Sequence, residues 1–476
     1  MLSWIIVNRC FHIFFLIKSA IMFRMSEGSA ANLKAIFKAY DIRGLVPDEL
    51  NTDISRDVAR AFADRMPDGT IAVGRDMRPD SVDLADAFIA GLVEQGREVL
   101  DIGMVTSDMS YFAVGHYDLA GAAMITASHN PGQYNGIKLT GAGVKQLSEG
   151  YLLPEIQAAV AQGSFKKADE PGKKLEKNIL TDWVEHALRF AGGEIKPLKV
   201  GVDAGNGMGS VPIPKLQELT SLEISGLYME LDGTFPNHPA NPILPGVTDD
   251  LATLVTRNAL DCGIAFDGDG DRCFFVDEKG EFVNATELGA LIADTLLLEN
   301  PKSTVVQSVV VGDVLTEVVS SLGGEVLTTR VGRSFIQEKM RTANALFGCE
   351  ASGHFFYRDN FFCDSALITA VVVLGIMSEA GKPLSELLRP YRKYHSIPEE
   401  NLQATDPQRI LRSLASKFPG VESWSIDGLS LRTSDWRASV RASNTEPLVR
   451  LNIEARTKTA LSTAYKQLRQ AITELS

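Results

Sequence analysis

Two short segments carry side chains whose types and spacing can do chemistry. The first is Thr126-Ala127-Ser128-His129-Asn130-Pro131, a polar stretch that follows the apolar run 119–125. A serine in a loop at a strand end can present its hydroxyl to a bound molecule. Read locally, the hexapeptide is also a plain turn, or a helix start with Ser128 as its cap. The second is Asp267-Gly268-Asp269-Gly270-Asp271-Arg272, with three carboxylates at alternate positions and glycines between them. A tight loop of this kind turns its carboxylates onto one point. Mg²⁺ takes oxygen ligands from a few carboxylates, completed by water and phosphate. A serine and a three-carboxylate loop together point to metal-assisted phosphoryl transfer through a phosphoserine.

The acidic loop has a rival reading as an EF-hand, since Glu278 falls at the twelfth position. Arg272 stands where that motif requires glycine, and the flanks 262–266 and 273–276 read as strands rather than helices. Arg272 can pair with a phosphate. His129 either orients Ser128, acts as an acid or base, or is a turn histidine. Asn135-Gly136 is a turn, and Lys138 beyond it can reach back to a phosphate or a sugar hydroxyl.

Two further loops hold polar sets. Glu350-Ala351-Ser352-Gly353-His354 combines a carboxylate, a hydroxyl and an imidazole, which suits gripping adjacent sugar hydroxyls; the bland alternative is a surface loop. Arg441-Ala442-Ser443-Asn444-Thr445-Glu446-Pro447 offers an arginine, hydroxyls, an amide and backbone N–H groups, which suits a phosphate cradle, with Arg450 following on its strand. A polar hairpin is the alternative there. Gly205-Asn206-Gly207-Met208-Gly209 matches a dinucleotide turn poorly and reads as a close-packed strand-to-helix turn.

The elements that must position these loops follow a repeated pattern of strand, helix and strand. It occurs over 70–73, 81–94 and 98–102, again over 199–202, 212–219 and 222–224, and again over 304–311, 314–322 and 325–327. Such units build mainly parallel sheets covered by helices. The C-terminal part differs. Residues 448–455 alternate, with Arg450 on the polar face and Val449, Leu451 and Ile453 on the other. Asp427-Gly428 signals a hairpin, and Leu461, Tyr465, Leu468, Ile472 and Leu475 fall at helical spacing. A small antiparallel sheet with a packed helix is expected. The polar stretches 166–177 and 396–407 read as linkers.

The 476 residues are too many for one core. A formal net charge of −13 argues against nucleic-acid binding. The five cysteines show no metal-type pairing and fit reduced cytosolic thiols. Residues 4–23 are apolar but broken by Asn8, Arg9, His12 and Lys18, so neither a clean membrane span nor a signal peptide fits. Met25 opens a polar segment that reads as the natural start. A weak membrane anchor is the minority reading.

Taken with Phe37-Lys38-Ala39-Tyr40-Asp41-Ile42-Arg43-Gly44 and Val73-Gly74-Arg75-Asp76-Met77-Arg78, these motifs resemble the alpha-D-phosphohexomutase superfamily in its bacterial phosphomannomutase/phosphoglucomutase branch. The matches span about residues 36–450, in the family's order. The resemblance implies three similar mixed or parallel-sheet α/β domains and a C-terminal α+β domain with an antiparallel sheet, arranged around a central cleft. The expected divisions are an extension 1–29 and domains 30–172, 173–281, 282–394 and 395–476. It implies Ser128 as the phosphoserine, with Asp267, Asp269, Asp271 and the Ser128 phosphate holding one Mg²⁺. Tyr40, Arg43 and Lys138 would lie near the phosphoserine. Arg330, Glu350, Ser352 and His354 would bind sugar. Arg441, Ser443, Asn444, Thr445 and Arg450 would bind the substrate phosphate.

The implied activity interconverts hexose 6-phosphate and hexose 1-phosphate through a hexose 1,6-bisphosphate, in the cytoplasm, by a monomer or weak homo-oligomer with no membrane or nucleic-acid partner. The alternatives are a phosphoglucosamine mutase, a phosphatase using the same phosphoserine, and a catalytically silent sugar-phosphate sensor. Two departures stand out. Some relatives carry lysine and histidine in the segment Arg330-Val331-Gly332-Arg333, where both are arginine here, which leaves the general base open because arginine stays protonated. Many relatives have glycine after the Asp364 position, where this chain has Ser365.

Overall fold

The computed structural model describes residues 33–443 and 447–476; the expected extension 1–29 and the positions Asn444 and Thr445 lie outside them. The chain forms two compact units. The first takes the described residues up to Met104 together with Ala113–Lys177, and the second takes Val105–Phe112 and Asn178–Ser476.

The first unit is built on one seven-stranded mixed sheet. Ile71–Arg75 lies inside it, parallel to Val99–Met104 on one side and Gly121–Ile125 on the other. Gly121–Ile125 then pairs antiparallel with Tyr134–Gly141, which pairs antiparallel with Ile42–Leu45. Every residue of Gly121–Ile125 is buried, as befits a strand covered on both faces. The helix Thr52–Ala63 starts at Asn51, whose side chain accepts the Ile54 N–H at 3.1 Å. It buries Val58 and Phe62 in the same core as Phe88 of the helix Ser81–Glu94. The stretch read as a linker ends in a strand, Lys174–Glu176, which adds in parallel to Val99–Asp101. The first sheet therefore runs past residue 172. All three residues are exposed, so no apolar alternation marks the strand.

Three sheets make up the second unit. In one, Glu223–Leu227, Lys199–Asp203 and Cys262–Phe266 are parallel, and Cys273–Asp277 and Phe282–Val283 follow antiparallel. That last strand carries the sheet past the expected division at residue 281. In the next, Glu325–Thr329, Thr304–Ser308 and Phe347–Cys349 are parallel, and Phe355–Tyr357 and Cys363–Asp364 follow antiparallel. The design matches that of the first unit: parallel neighbours, then a reversal.

The C-terminal sheet is antiparallel throughout, with Leu448–Ala455 paired to Trp436–Ala442 on one side. Its other side takes His395–Ser396 and Glu400–Gln403. Much of the polar stretch 396–407 is thus edge strand, not linker. Val449, Leu451 and Ile453 point into a core closed by Leu468 and Ile472 of the helix Lys458–Leu475. The helix Ala366–Ala380 is apolar all round and buried, as an internal helix is. No helix among the described residues is long and apolar enough to cross a membrane.

Candidate active site

The three α/β sheets place their motif loops alike. Residues 126–133 join Gly121–Ile125 to Tyr134–Gly141, residues 267–272 join Cys262–Phe266 to Cys273–Asp277, and residues 350–354 join Phe347–Cys349 to Phe355–Tyr357. In each sheet this is the point where the last parallel strand turns back antiparallel.

In the first unit, Ser128 is buried and takes a left-handed backbone (φ 53°). Its N–H donates to Thr126 Oγ1 at 2.9 Å, and its Oγ lies 3.1 Å from His129 Nδ1. The loop is gripped from beneath by Arg78, which is wholly buried as to its side chain. Arg78 donates to the carbonyls of Ser128 at 2.8 Å, Asn130 at 2.6 Å, Pro131 at 2.8 Å and Tyr134 at 2.8 Å. Asp76 balances its charge through Nε at 3.1 Å. Burial pushes the Asp76 carboxyl up, against the pull of Arg78, Ser81 and Thr126.

Arg43 sits on Ile42–Leu45 opposite Gly136 and donates to Asn130 Oδ1 at 2.9 Å, with Asp41 as its second partner. Lys138 is buried and lies opposite Met124 in register, while Tyr40 is exposed at the surface. Gly136 has to be glycine: a Cβ there would lie 2.4 Å from the Ile42 carbonyl and 2.6 Å from that of Thr126.

In the second unit, Asp267, Asp269 and Asp271 are fully buried, and one oxygen of each lies within 4.8 Å of the others. Strands flank the loop, and Glu278 takes the Ser385 N–H at 3.1 Å instead of joining the aspartates, so it is no EF-hand. Asp267 Oδ1 accepts the N–H groups of Asp271 and Arg272, both at 3.1 Å, and Oδ2 pairs with Arg272 Nε at 2.9 Å. Arg272 thus braces the loop; its Nη2 is buried without a hydrogen-bond partner among the described residues. Asp269 accepts from the Ser107 hydroxyl. The turn at 205–209 packs behind the loop, with the Met208 N–H on the Gly268 carbonyl at 2.9 Å. Three convergent, buried oxygen donors suit a hard divalent cation.

The 350–354 loop is stapled to its surroundings. Glu350 accepts the Gly332 N–H at 2.8 Å, and Ser352 Oγ lies 2.8 Å from His354 Nδ1. Gly353 has φ +88°, and a Cβ there would meet the Phe274 ring at 2.6 Å. Burial pushes the His354 imidazole down, but Asp271, Glu350 and Asp364 outweigh it and raise it to about 9. His354 is therefore charged at neutral pH and donates from both nitrogens. Glu350 is held below its ordinary value: burial pushes it up, and His354, Gly332 and Ser352 overcome that.

Arg441 and Arg450 face each other across paired strands and share Glu399, at 2.7 and 3.3 Å. Arg441 also reaches Asp427 at 3.5 Å. Ser443 N–H donates to the Leu448 carbonyl at 3.0 Å. Arg330 is exposed and stacks on the Phe335 ring at 4.2 Å.

The sequence assigned no site role to four groups that the structure brings in: Arg78 under the Ser128 loop, Asp108, Arg333 and Glu399. Asp108 is wholly buried. Burial is the main cause that raises it to about 7, with Asp271 and Asp364 adding to it against hydrogen bonds from Ser365 and Thr106. Ser365, one of the departures, donates to Asp108 at 2.6 Å and caps the helix Ala366–Ala380. Arg333, the other, is buried against Asp364 at 2.6 Å and Asp271 at 3.4 Å.

Family models described as phosphoglucomutase/phosphomannomutase alpha/beta/alpha domains I, II and III match residues 34–167, 181–280 and 284–394, and the C-terminal domain model matches 399–471. The chain is 36% identical over 431 residues to a protein named phosphohexose mutases from Xanthomonas campestris, covering 89% of this chain and 96% of that one. It is 35% identical over 432 residues to a phosphomannomutase of Escherichia coli, covering 88% and 94%. A crystal structure of a phosphoglucomutase/phosphomannomutase family protein from Burkholderia thailandensis superposes with a TM-score of 0.86 at 30% identity, covering 93% of this chain and 98% of that one.

Proposed function

The chain belongs to the phosphoglucomutase/phosphomannomutase family, and from that premise we propose that it interconverts mannose 6-phosphate and mannose 1-phosphate, with glucose phosphates as further substrates. It is an isomerase that works as an intramolecular phosphotransferase. One observation carries the reading: four family domains follow in order over residues 34–471, and each contributes one of the motif loops.

In this reading phosphorylated Ser128 gives its phosphoryl group to the free C1 or C6 hydroxyl of the sugar. A hexose 1,6-bisphosphate forms, turns over and returns its other phosphate to Ser128. His129, at 3.1 Å, orients the serine oxygen. Arg43, Lys138 and Arg272 neutralise phosphoryl oxygens, with Tyr40 nearby. Glu350 accepts from, and Ser352 and the charged His354 donate to, sugar hydroxyls. Arg441, Ser443, Asn444, Thr445 and Arg450 hold the distal phosphate, with Arg330 at the sugar.

The acceptor for the hydroxyl proton has to be unprotonated near pH 7. That removes Arg330, Arg333 and the imidazolium of His354 from the role. Asp267, Asp269 and Asp271, with the Ser128 phosphate, would hold one Mg²⁺, which supplies charge neutralisation at the phosphoryl oxygens when bound. We take hexose 1,6-bisphosphate as activator, the cytoplasm as location, a monomer or weak homo-oligomer as the assembly, and four domains with divisions near those expected from sequence.

The test is turnover of mannose 1-phosphate, glucose 1-phosphate and glucosamine 1-phosphate, with Mg²⁺ and a trace of hexose bisphosphate. Mannose 1-phosphate should be fastest, and Ser128→Ala should lose at least about 10³-fold. A preference for the amino sugar, or near-normal rates in Ser128→Ala, would reject the reading.

A further inference from the structure

Four groups from four separate chain segments, Asp271, Arg333 and Asp364 buried and His354 half-buried, close into a ring of alternating charge. Asp271 Oδ2 lies 3.4 Å from Arg333 Nη1, and Arg333 Nη2 lies 2.6 Å from Asp364 Oδ1. Asp364 Oδ2 lies 3.7 Å from His354 Nε2, and the same nitrogen returns to Asp271 Oδ1 at 3.5 Å. Asp271 belongs to the metal loop and His354 to the sugar loop, while Arg333 opens the helix Arg333–Ala343 and Asp364 ends the short strand Cys363–Asp364. Arg333 is further seated on Tyr111, whose hydroxyl accepts from it and whose ring lies 4.7 Å below the guanidinium.

Charges in such a ring are not independent. Each carboxylate is shared between the same two cations, so whatever draws one member away changes the hold on the others. We infer that Arg333 is a positioning residue that couples the sugar loop to the metal loop through this ring. The inference rests on the functional reading above. Sugar hydroxyls that engage His354 loosen its hold on Asp271. With Arg333 fixing Asp271 and Asp364 in place, the released carboxylate oxygen turns to the cation rather than drifting to another partner. Hexose phosphate should therefore tighten divalent-cation binding, and the cation should tighten hexose phosphate by the same factor, because linkage is reciprocal.

The test measures Mn²⁺ affinity of the full-length, dephosphorylated protein by calorimetry, with and without saturating mannose 1-phosphate. The wild type should gain about five-fold or more. Arg333→Gln and Asp364→Asn, which open the ring on either side of the same contact, should each bring the gain below about two-fold. Tyr391→Phe, which removes a hydroxyl that donates to Asp294 and not to a member of the ring, should leave it. Near-UV circular dichroism checks the fold of each variant. If Arg333→Gln does not fold, Asp364→Asn and Arg333→Lys decide, the lysine keeping at least half of the coupling on a logarithmic scale. A wild-type gain that persists in the ring-opening variants overturns the inference, as does a wild type with no gain. Failure of the functional reading looks different: the wild type would then not turn over hexose phosphates at all, whatever its cation affinity.

Discussion

The Ser128 loop and the Asp267 loop occupy the same junction in their respective sheets, yet they are held by opposite means. Under Ser128, a buried cation grips carbonyls: Arg78 reaches the backbone oxygens of Ser128, Asn130, Pro131 and Tyr134. In the acidic loop, a buried anion grips amides: Asp267 takes the N–H groups of Asp271 and Arg272. The first arrangement occupies the loop's carbonyls and leaves its hydroxyl to be presented. The second occupies one carboxylate as scaffold and turns the others inward. One topological position thus serves two chemistries, and the charge of the buried anchor separates them.

That contrast can be broken at either anchor. Arg78→Met should have the larger effect. It removes the donor to four carbonyls and leaves Asp76 buried without its cation, so urea denaturation should show a loss of about 3–5 kcal/mol. A loss under about 1 kcal/mol would mean that the loop does not depend on its cation. Asp267→Asn should cost less, about 1–3 kcal/mol, because Arg272 keeps the charges of Asp271 and Asp269 nearby. Its main consequence should be a fall in divalent-cation affinity, read by titration calorimetry.

The smallest expected effect sharpens the same picture one layer out. The Ala240 carbonyl accepts the Gly268 N–H at 3.2 Å, so the segment carrying His238 backs the acidic loop. His238 Nε2 lies 3.2 Å from Asp203. Burial pushes the imidazole down, but Asp203, the Pro239 carbonyl and Asp250 outweigh it and raise it from 6.5. The folded chain then binds this proton more tightly than the unfolded chain. The pair's stabilisation is complete below 6.5 and fades as pH rises through the higher folded value. The melting temperatures of wild type and His238→Gln should therefore differ most at pH 6 and converge as pH rises through the folded value. A gap that widens with pH would contradict the assignment.

The motif loops were legible because each packs its chemistry into five to seven consecutive residues. The three strand-helix-strand units were legible from their apolar runs, and Ser81–Glu94 appears with the bounds expected from the sequence. The anchors were not. Arg78 and Asp76 look like ordinary polar residues at the start of a helix, and only the folded chain shows that both are fully buried. The Asp271–Arg333–Asp364–His354 ring joins positions up to 93 residues apart, and no local pattern connects them. Edge strands such as Lys174–Glu176 and Glu400–Gln403 were hidden for a different reason. They expose most of their side chains, so their pairing leaves little alternation to read.

The central claim is that Ser128 carries the phosphoryl group in transit. The direct measurement is the intact mass of the protein after incubation with hexose 1,6-bisphosphate, followed by peptide mapping and a chase with mannose 1-phosphate. The account predicts a gain of one phosphoryl group, located on Ser128 and lost to the sugar in the chase. A protein that turns over hexose phosphates while Ser128 stays unmodified, or with the phosphoryl group on another residue, would contradict it.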